Sequence, residues 1–478
     1  MKRTAYLLLT AILAAACSGR NSESVSYGLA PIYPDYIGVT VPVNIAPLNF
    51  DYTVPAEDAQ TVFRCGTTEV RFKGPSVRWN AARWHDMLSQ AAGGDITVQS
   101  TAVDSAWTIH VSPDEIPYAV EYRLLEPGYE TYSRMGIYER ELGSFRERPV
   151  IENTDVSGCI NCHSFNRCEP ADLSLHVRGD HGATLLRVDG NMGAYNTKTD
   201  STLGFCVYPY WHPSGDYIAY STNSTRQLFH LHPDKLIEVF DMDSDLLVYD
   251  VHEGSLMQVL PDSTKDVWET FPTFSPDGKS LYYCAAEPKE IPYGLSEVRY
   301  NLYRLPFDPQ TGEAGYCPEL LIDAVSQGKS ISFPRPSYDG RYIMYTLSDY
   351  GQFSIWHHEA DLWMLDLETG EARALDEVNS DDVESFHNWS PDSRWVVFSS
   401  RRDDGLFTRL YFAHVGADGS IGKPFMLPQK DPLHDNGTLF MSYNVPEFTT
   451  GPVKLDHIRA RKLLNSEKRI PFTFKRGE

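Results

Sequence analysis

The sequence lacks the short motifs of several large enzyme classes. No G-x-S-x-G stretch occurs, which excludes a hydrolase that presents its serine nucleophile on that turn. Neither a P-loop nor a G-x-G-x-x-G stretch occurs, so the common phosphate-binding loops are absent. Cysteine is scarce, with 8 residues in 478. The single C-x-x-C pair has no second ligand pair at zinc-finger spacing, which argues against a structural zinc site.

Long apolar runs and a positive charge balance are also missing. The one apolar run, "AYLLLTAILAAA", is about a dozen residues long and too short to span a bilayer. The formal net charge of −23 argues against nucleic acid or an anionic membrane surface as a partner. A hydrophobic content of 42% with 12% aromatic residues is sufficient for a large core.

The first residues predict export. Lys2 and Arg3 precede the apolar run, and small residues lead into Cys17, which is the pattern of a signal peptide over residues 1–16. "LAAAC" resembles the lipobox of bacterial lipoproteins, and this resemblance implies lipidation of Cys17. The polar composition of residues 17–27 predicts a flexible tether. No acidic run follows Cys17, which favours an outer-membrane lipoprotein facing the periplasm and attached to the membrane only by its lipid.

An internal repeat dominates the rest of the chain. Four segments align, "YWHPSGDYIAYSTN", "PTFSPDGKSLYYCA", "RPSYDGRYIMYTLS" and "NWSPDSRWVVFSSR". Each combines a turn centred on S-P-D-G, or a variant of it, with a strand that ends in an aromatic residue. A second hairpin follows each of them, so one repeat is a four-stranded antiparallel unit. Units that cannot bury their own faces stack radially into a β-propeller.

These segments resemble the TolB-like propeller family, whose blades carry the same hairpin. The resemblance covers residues 174–455 and implies an all-β, six-bladed propeller. "SLHVRGDHGATLLRVDGNMGAYNTKT" is interpreted as a further repeat at the start. "DNGTLFMSYNVPEF" is interpreted as one at the end, so that the two chain ends share a blade.

The flanking regions predict three smaller parts. Alternating runs over residues 28–150 predict an antiparallel β-sandwich of immunoglobulin or fibronectin type, with one helix in "WNAARWHDMLSQAAG". Residues 151–173 are interpreted as a connector that carries the chemistry. Residues 456–478 are locally basic and predict a short helix and tail packed on the acidic body.

The connector contains "GCINCH", in which Cys159, Cys162 and His163 form C-x-x-C-H. Two thiols at this spacing add across the two vinyl groups of haem, and the following histidine binds the iron. The sequence therefore predicts one covalently bound haem c, with His163 as proximal ligand. A redox or structural disulfide and half of a zinc site are the alternatives. An exported chain with a single such motif before a TolB-like propeller resembles a family of exported bacterial lipoproteins.

The ligand on the second face of the iron determines what a haem does. The first candidate is His176, in an alternating strand shortly after the motif. His181, Met192, Met135 and Tyr132 are further candidates.

The remaining cysteines are odd in number once Cys17, Cys159 and Cys162 are set aside. Cys168 and Cys206 are interpreted as a possible disulfide that joins the haem segment to the first strong blade.

The combined hypothesis is electron transfer by a haem-bearing envelope lipoprotein, with the propeller docking a redox or envelope-complex protein. The alternative is a TolB-like scaffold or binding protein in which the haem is structural or sensory. A haem enzyme with an open iron site is the third hypothesis, and no catalytic acid or base can be assigned to it.

Overall fold

The computed structural model describes residues 30–126, 133–156, 158–179, 182–200, 202–229, 237–260 and 267–475. Cys17, with the predicted leader and tether, lies outside these residues. No helix in the described ranges is long and apolar enough to cross a membrane.

The first part of the chain forms a small β module around one helix. Its elements are β1 (Ile32–Tyr33), β2 (Thr40–Pro42), β3 (Phe50–Tyr52), β4 (Gln60–Cys65), β5 (Thr68–Lys73), β6 (Ser76–Val77), α1 (Ala81–Ala91), β7 (Gly94–Ser100) and β8 (Trp107–Ser112). A five-stranded sheet has the order β2-β8-β7-β4-β5, and a three-stranded sheet has the order β1-β3-β6. Strands β2 and β8 pair in parallel, which the prediction of an antiparallel sandwich did not include.

Helix α1 confirms the predicted helical segment. Asn80 caps it, with its side chain accepting a hydrogen bond from the Arg83 backbone N–H at 3.2 Å. Trp84, Met87 and Leu88 on one face are fully buried in the core of the module.

The propeller begins with three strands from the predicted sandwich. They are β9 (Ala119–Leu125), β10 (Met135–Glu141) and β11 (Glu147–Glu152). The other strands up to the last blade are β12 (Cys159–Asn166), β13 (Glu169–Arg178), β14 (Ala183–Val188), β15 (Asn191–Asn196), β16 (Cys206–Trp211), β17 (Tyr217–Phe229), β18 (Ile237–Asp250), β19 (Ser255–Gln258), β20 (Trp268–Phe274), β21 (Ser280–Ala286), β22 (Asn301–Asp308), β23 (Glu313–Ala314), β24 (Glu319–Ile322), β25 (Ser330–Pro336), β26 (Tyr342–Ser348), β27 (Asp361–Asp366), β28 (Ala372–Ala374), β29 (Glu384–Trp389), β30 (Trp395–Ser400), β31 (Arg409–His414) and β32 (Phe425–Met426).

Short elements complete the chain. They are α2 (Pro432–Thr438), β33 (Ser442–Thr449), α3 (His457–Leu464), β34 (Ile470–Pro471) and β35 (Thr473–Phe474).

Six of the sheets form the blades. Blade 1 is β12 to β15, blade 2 is β16 to β19, blade 3 is β20 to β24, blade 4 is β25 to β28 and blade 5 is β29 to β32. Blade 6 takes its innermost strand, β33, from the end of the chain and β9 to β11 from the start. The innermost strands contact each other in the cyclic order β12, β16, β20, β25, β29, β33 and back to β12. The all-β fold with six blades is therefore as expected.

Two boundaries drawn from the sequence need correction. The chain ends share a blade as expected, but the strands that β33 joins lie within residues 28–150, so the predicted sandwich stops before β9. The predicted connector, residues 151–173, contains β12, the innermost strand of blade 1. Local sequence could not reveal either result, because the pairing partner of β9 is more than three hundred residues away.

The β module and the tail brace neighbouring parts of the ring. The core of the module is continuous with side chains of blades 5 and 6, among them Val397, Phe412 and Phe448. The tail behaves as predicted: α3 packs into the core between blades 1 and 6, and β34 and β35 extend the outer edges of blades 1 and 2.

Candidate functional site

The C-x-x-C-H motif lies in the propeller wall. Cys159 begins β12, which pairs with β13 in antiparallel fashion. The innermost strands all begin at one end of the central channel, which we call the strand-start mouth. Cys159 pairs with Arg178 at this mouth. The motif is therefore placed at an opening of the channel.

A β-bulge falls within the motif. Ile160 pairs with Val177 and His163 pairs with Leu175, so Asn161 and Cys162 together oppose His176. Every other innermost strand has a bulge as well.

The bulge of blade 1 differs from the others in its position. In blades 2 to 6, the first paired residue after the bulge stands directly before a large buried side chain or a proline. These residues are Trp211, Phe274, Pro336, Trp389 and Phe448, respectively. In blade 1, Ser164 separates His163 from the equivalent residue, Phe165. The bulge of the motif thus sits one residue earlier than in the other blades.

Aromatic rings fill the axis of the propeller in four blades. The rings of Tyr208, Phe271, Phe333 and Phe386 follow one another with centroid separations of 4.5, 4.1 and 4.9 Å. Each residue has a φ between +51° and +53°, a strained value that the bulge imposes. Counting back from Phe165 places Cys162 at this position in blade 1.

The thiols and His163 point to opposite sides of the blade. Cross-strand partners share a face of a sheet, so Cys159 and Cys162 lie on the side of Arg178 and His176. His163 lies with Leu175 on the other side, which packs against blade 6. Cys159 and Cys162 are free and half-buried.

His163 is a buried neutral base. Its side chain is 3% exposed, and its Nε2 has no hydrogen-bond partner. Burial lowers the pKa of His163 to about 3, the charge of Arg123 lowers it further, and a hydrogen bond with the Glu121 backbone opposes the shift.

His387 occupies the same blade position as His163. Its Nε2 lies 2.9 Å from the backbone oxygen of Met344 in the preceding blade, and burial lowers its pKa to about 3. A buried histidine between blades is thus also a structural feature of this propeller.

His176 is not brought to the same side as His163. Its Nδ1 is 3.2 Å from Thr184 Oγ1, its ring centroid is 5.1 Å from that of Phe205, and its Nε2 has no partner. Burial first, and then the charge of Arg178, lowers the pKa of His176 to about 3. In this arrangement one iron cannot bind both His163 and His176, because the strand pairing separates them by the thickness of the sheet.

The other candidate ligands do not replace His176. Met192 is buried in the core between blades 1 and 6, and Met135 is buried in β10. His181 and Tyr132 lie outside the described residues.

The expected disulfide is not present. Cys168 and Cys206 are both free and buried. Cys168 Sγ lies 3.4 Å from Tyr338 Oη, in the core shared with the β module. Cys206 belongs to the core between blades 1 and 2 and has its Sγ 4.0 Å from the Thr197 carbonyl oxygen. The turn after β12 directs Cys168 away from Cys206, which is the physical reason for the correction.

Two arginines missed from the sequence flank the thiols. Arg123 in β9 reaches across from blade 6 and donates a hydrogen bond from Nη1 to Asn161 Oδ1. Its Nε is buried without a partner. The electrostatic surroundings of this guanidinium include both Cys159 and Cys162, and also Arg178. No sequence signal links Arg123 to the motif, because blade closure alone brings the two together.

The residue types of the motif are those that a covalent haem requires, but the strand conformation places the thiols and His163 on opposite sides of the blade. Two free thiols lie on one side, an imidazole nitrogen is unpartnered, and two guanidiniums are available for propionates. Attachment requires His163 to turn to the side of the thiols. Within the described ranges, no three His, Cys, Asp or Glu side chains converge to hold a metal ion.

The solved structures that resemble this chain have low sequence identity to it and low structural similarity. No family model matches the sequence, and no curated protein matches it. A TolB-type protein of Agrobacterium tumefaciens is 17% identical, with 67% of this chain and 94% of that chain covered and a TM-score of 0.38. A periplasmic gluconolactonase of Pseudomonas aeruginosa is 14% identical, with 70% and 100% covered and a TM-score of 0.35.

A puromycin-hydrolysing peptidase of Mycobacterium tuberculosis is 14% identical, with 82% and 57% covered and a TM-score of 0.38. Scores of this size carry no inference about function. The propeller assignment therefore rests on the strand pairing described above.

Proposed function

We propose that this protein is an exported mono-haem lipoprotein that transfers electrons. Cys159 and Cys162 hold the haem by thioether bonds, and His163 binds its iron. A haem bound in this way supplies a one-electron couple whose potential depends on its axial ligands and surroundings. The propeller surface docks a redox or envelope-complex protein.

One observation carries the proposal: the motif lies where the propeller repeat is broken. The other axial positions hold Tyr208, Phe271, Phe333, Phe386 and Val445, all with positive φ. Blade 1 holds Cys162 there, without a positive φ, and its thiol lies on the same side as that of Cys159. A structural strand has no need of two free thiols at a channel opening.

The proposal requires a local change of backbone. Residues 159–163 leave the extended conformation and form a turn, while β12 continues from Ser164. Phe165 and the Trp211 indole, which donates to the Ser164 carbonyl oxygen at 3.2 Å, then keep blade 1 in place.

The test is haem attachment in a host with cytochrome c maturation. We expect the full chain to stain for haem on a denaturing gel and to contain one haem per chain in the pyridine haemochrome assay. The double variant Cys159→Ala/Cys162→Ala should contain none. Cys317→Ser is the matched control, because Cys317 is exposed and free but remote from β12 in the chain. An unstained wild-type band contradicts the proposal.

Membrane attachment through Cys17 is a separate part of the proposal. We expect fatty-acid labelling of the wild type, and loss of both the label and the membrane fraction in Cys17→Ala. A labelled Cys17→Ala protein would contradict lipidation at this residue.

The second candidate function is a TolB-like scaffold. The observation in its favour is that β12, as an extended strand, completes a ring of six innermost strands, and that His163 occupies the position of His387. If the protein is a scaffold, the double variant Cys159→Ala/Cys162→Ala binds the partner protein as the wild type does. If it is an electron carrier, the same variant no longer exchanges electrons with the partner.

Carbon monoxide separates electron transfer from an open haem site. We expect a reduced spectrum that does not change with the gas, as for a six-coordinate iron. Ready binding of carbon monoxide would instead favour the haem-enzyme hypothesis.

A further inference from the structure

Two positive side chains stand at the strand-start mouth in a chain of net charge −23. Arg123 lies in β9, paired with Asn444 of β33, and extends to Asn161 of blade 1. Arg178 ends β13 and is paired with Cys159. Blades 1 and 6 therefore each contribute one guanidinium beside the thiols.

Neither guanidinium is neutralised by the described residues. Among these residues, neither Arg123 nor Arg178 has a carboxylate oxygen within 4.0 Å, although most of the arginines that contact carboxylates elsewhere do so at 3.0 Å or less. The Nε of Arg123 is buried without a hydrogen-bond partner. A buried charged donor with one N–H left without a partner is destabilising, and a bound anion would relieve this.

The charges of Arg123 and Arg178 also interact with each other. Burial lowers the pKa of Arg123, the neighbouring Cys159 and Cys162 oppose this shift, and the positive charge of Arg178 adds to it. Two like charges held close together are stabilised by an anion between them. Guanidinium groups bind carboxylates with paired, charge-assisted hydrogen bonds.

We propose that Arg123 and Arg178 form a binding site for a pair of carboxylates beside Cys159 and Cys162. The carboxylates are either the two propionates of an attached haem or those of a free small dicarboxylate. In its haem form the inference rests on the proposed function; the carboxylate site itself does not.

The haem arm of the test uses the loaded full chain. We expect Arg123→Gln and Arg178→Gln to keep one haem per chain but to lower its reduction potential, because removing a positive charge favours the ferric iron. Arg134→Gln is the matched control, since this arginine of blade 6 is already paired with Glu152 at 3.0 Å. Its potential should equal that of the wild type.

The free-ligand arm uses the chain expressed without haem maturation and succinate as the probe at low salt. We expect calorimetric binding that weakens about tenfold or more in Arg123→Gln and in Arg178→Gln, the loss of one charge-assisted contact. Arg134→Gln should bind like the wild type. Arg178 is exposed, so its variant stays informative if Arg123→Gln fails to fold.

The outcomes distinguish the two proposals. A wild type that carries no haem but binds succinate through both arginines defeats the proposed function and supports this site with a free dicarboxylate. A lowered potential without succinate binding supports propionates as the occupant. Unchanged potentials together with absent or unchanged succinate binding overturn the carboxylate site.

Discussion

Blade 4 and blade 1 contribute equivalent innermost strands to one ring, yet they differ at the axis. In blade 4, Phe333 has a φ of +51° and packs its ring against Phe271 and Phe386. In blade 1 the equivalent residue is Cys162, which has no positive φ, and the bulge is displaced by one residue. Rings from blades 2 to 5 pack along the axis, and blade 1 has Cys162 at the equivalent strand position.

The difference shows how a repeat can acquire a site. The outer strands of blade 1 keep the ordinary antiparallel pairing, and the irregularities lie in β12, one within C-x-x-C-H and a second between Phe165 and Asn166. The tail adds support to blade 1 that blade 4 does not have, because α3 and β34 pack on its outer part. A blade held from outside tolerates an irregular innermost strand.

The largest expected effect is the loss of an aromatic side chain buried between two regular blades, 4 and 5. Trp389 is 1% exposed and donates from Nε1 to the Arg335 carbonyl oxygen at 3.0 Å. Trp389→Ala should lower the free energy of unfolding by about 3–5 kcal/mol, since it creates a cavity and leaves a carbonyl unpaired. Urea unfolding of both proteins measures it, and a loss below about 1 kcal/mol would show that blade 5 does not pack as described.

A matched isoleucine pair sharpens the comparison of blades 1 and 4. Ile160 and Ile331 are both fully buried at equivalent positions. In the chain without haem, each change to alanine should cost about 2–5 kcal/mol in urea unfolding. In the haem-loaded chain only Ile331→Ala should keep that cost, because residues 159–163 have left the strand. Equal costs in the loaded chain would show that β12 is unchanged, against the proposed turn.

The pH dependence of the free energy of unfolding tests the two buried histidines between blades, His163 and His387. Burial lowers the pKa of His387 to about 3, so between about pH 3 and pH 6.5 the unfolded chain binds one more proton there than the folded chain. The stabilising contribution is complete above that window. It is lost as the pH falls, by about 1.4 kcal/mol per pH unit below about pH 6.

His387→Gln should therefore remove this part of the acid destabilisation. Urea unfolding at several pH values between 4.5 and about 7.5 provides the measurement, with His163→Gln in the haem-free chain expected to behave alike. Parallel curves for wild type and His387→Gln would mean that His387 is not buried in neutral form.

The smallest expected effect concerns the support of blade 1 by the tail. Asp456 caps α3, with its Oδ1 accepting from the Arg459 backbone N–H at 3.0 Å. Asp456→Ala should cost about 1 kcal/mol. Amide hydrogen exchange should rise in α3 and the outer strands of blade 1, with blade 4 as internal control. Equal exchange in blade 1 before and after the change would show that the tail does not brace it.

Several features were predictable because they depend on neighbouring residues. The S-P-D-G turns locate the hairpins of blades 2 to 5, "WNAARWHDMLSQAAG" predicts α1, and "DNGTLFMSYNVPEF" identifies β33 as a strand of a shared blade. Each is a local pattern of turn residues and alternating side chains, which a chain carries wherever it folds.

The candidate site was predictable in part. Cys159, Cys162 and His163 were found by their spacing, whereas the positions of His176 and Arg123 were not. The face on which His176 lies depends on the register between β12 and β13, and a shift of one residue reverses it. The free state of Cys168 and Cys206 likewise follows from the turn after β12.

By itself, the sequence of this protein determined a repeat of four antiparallel units and a thiol pair at haem spacing, since both depend on adjacent residues. Only the tertiary structure decided that the motif is a propeller strand, that His163 and the thiols face opposite sides, and that Arg123 stands beside them. The physical reason is ring closure: blade 6 combines strands from both ends of the chain, so contacts across its boundary with blade 1 have no counterpart in local sequence.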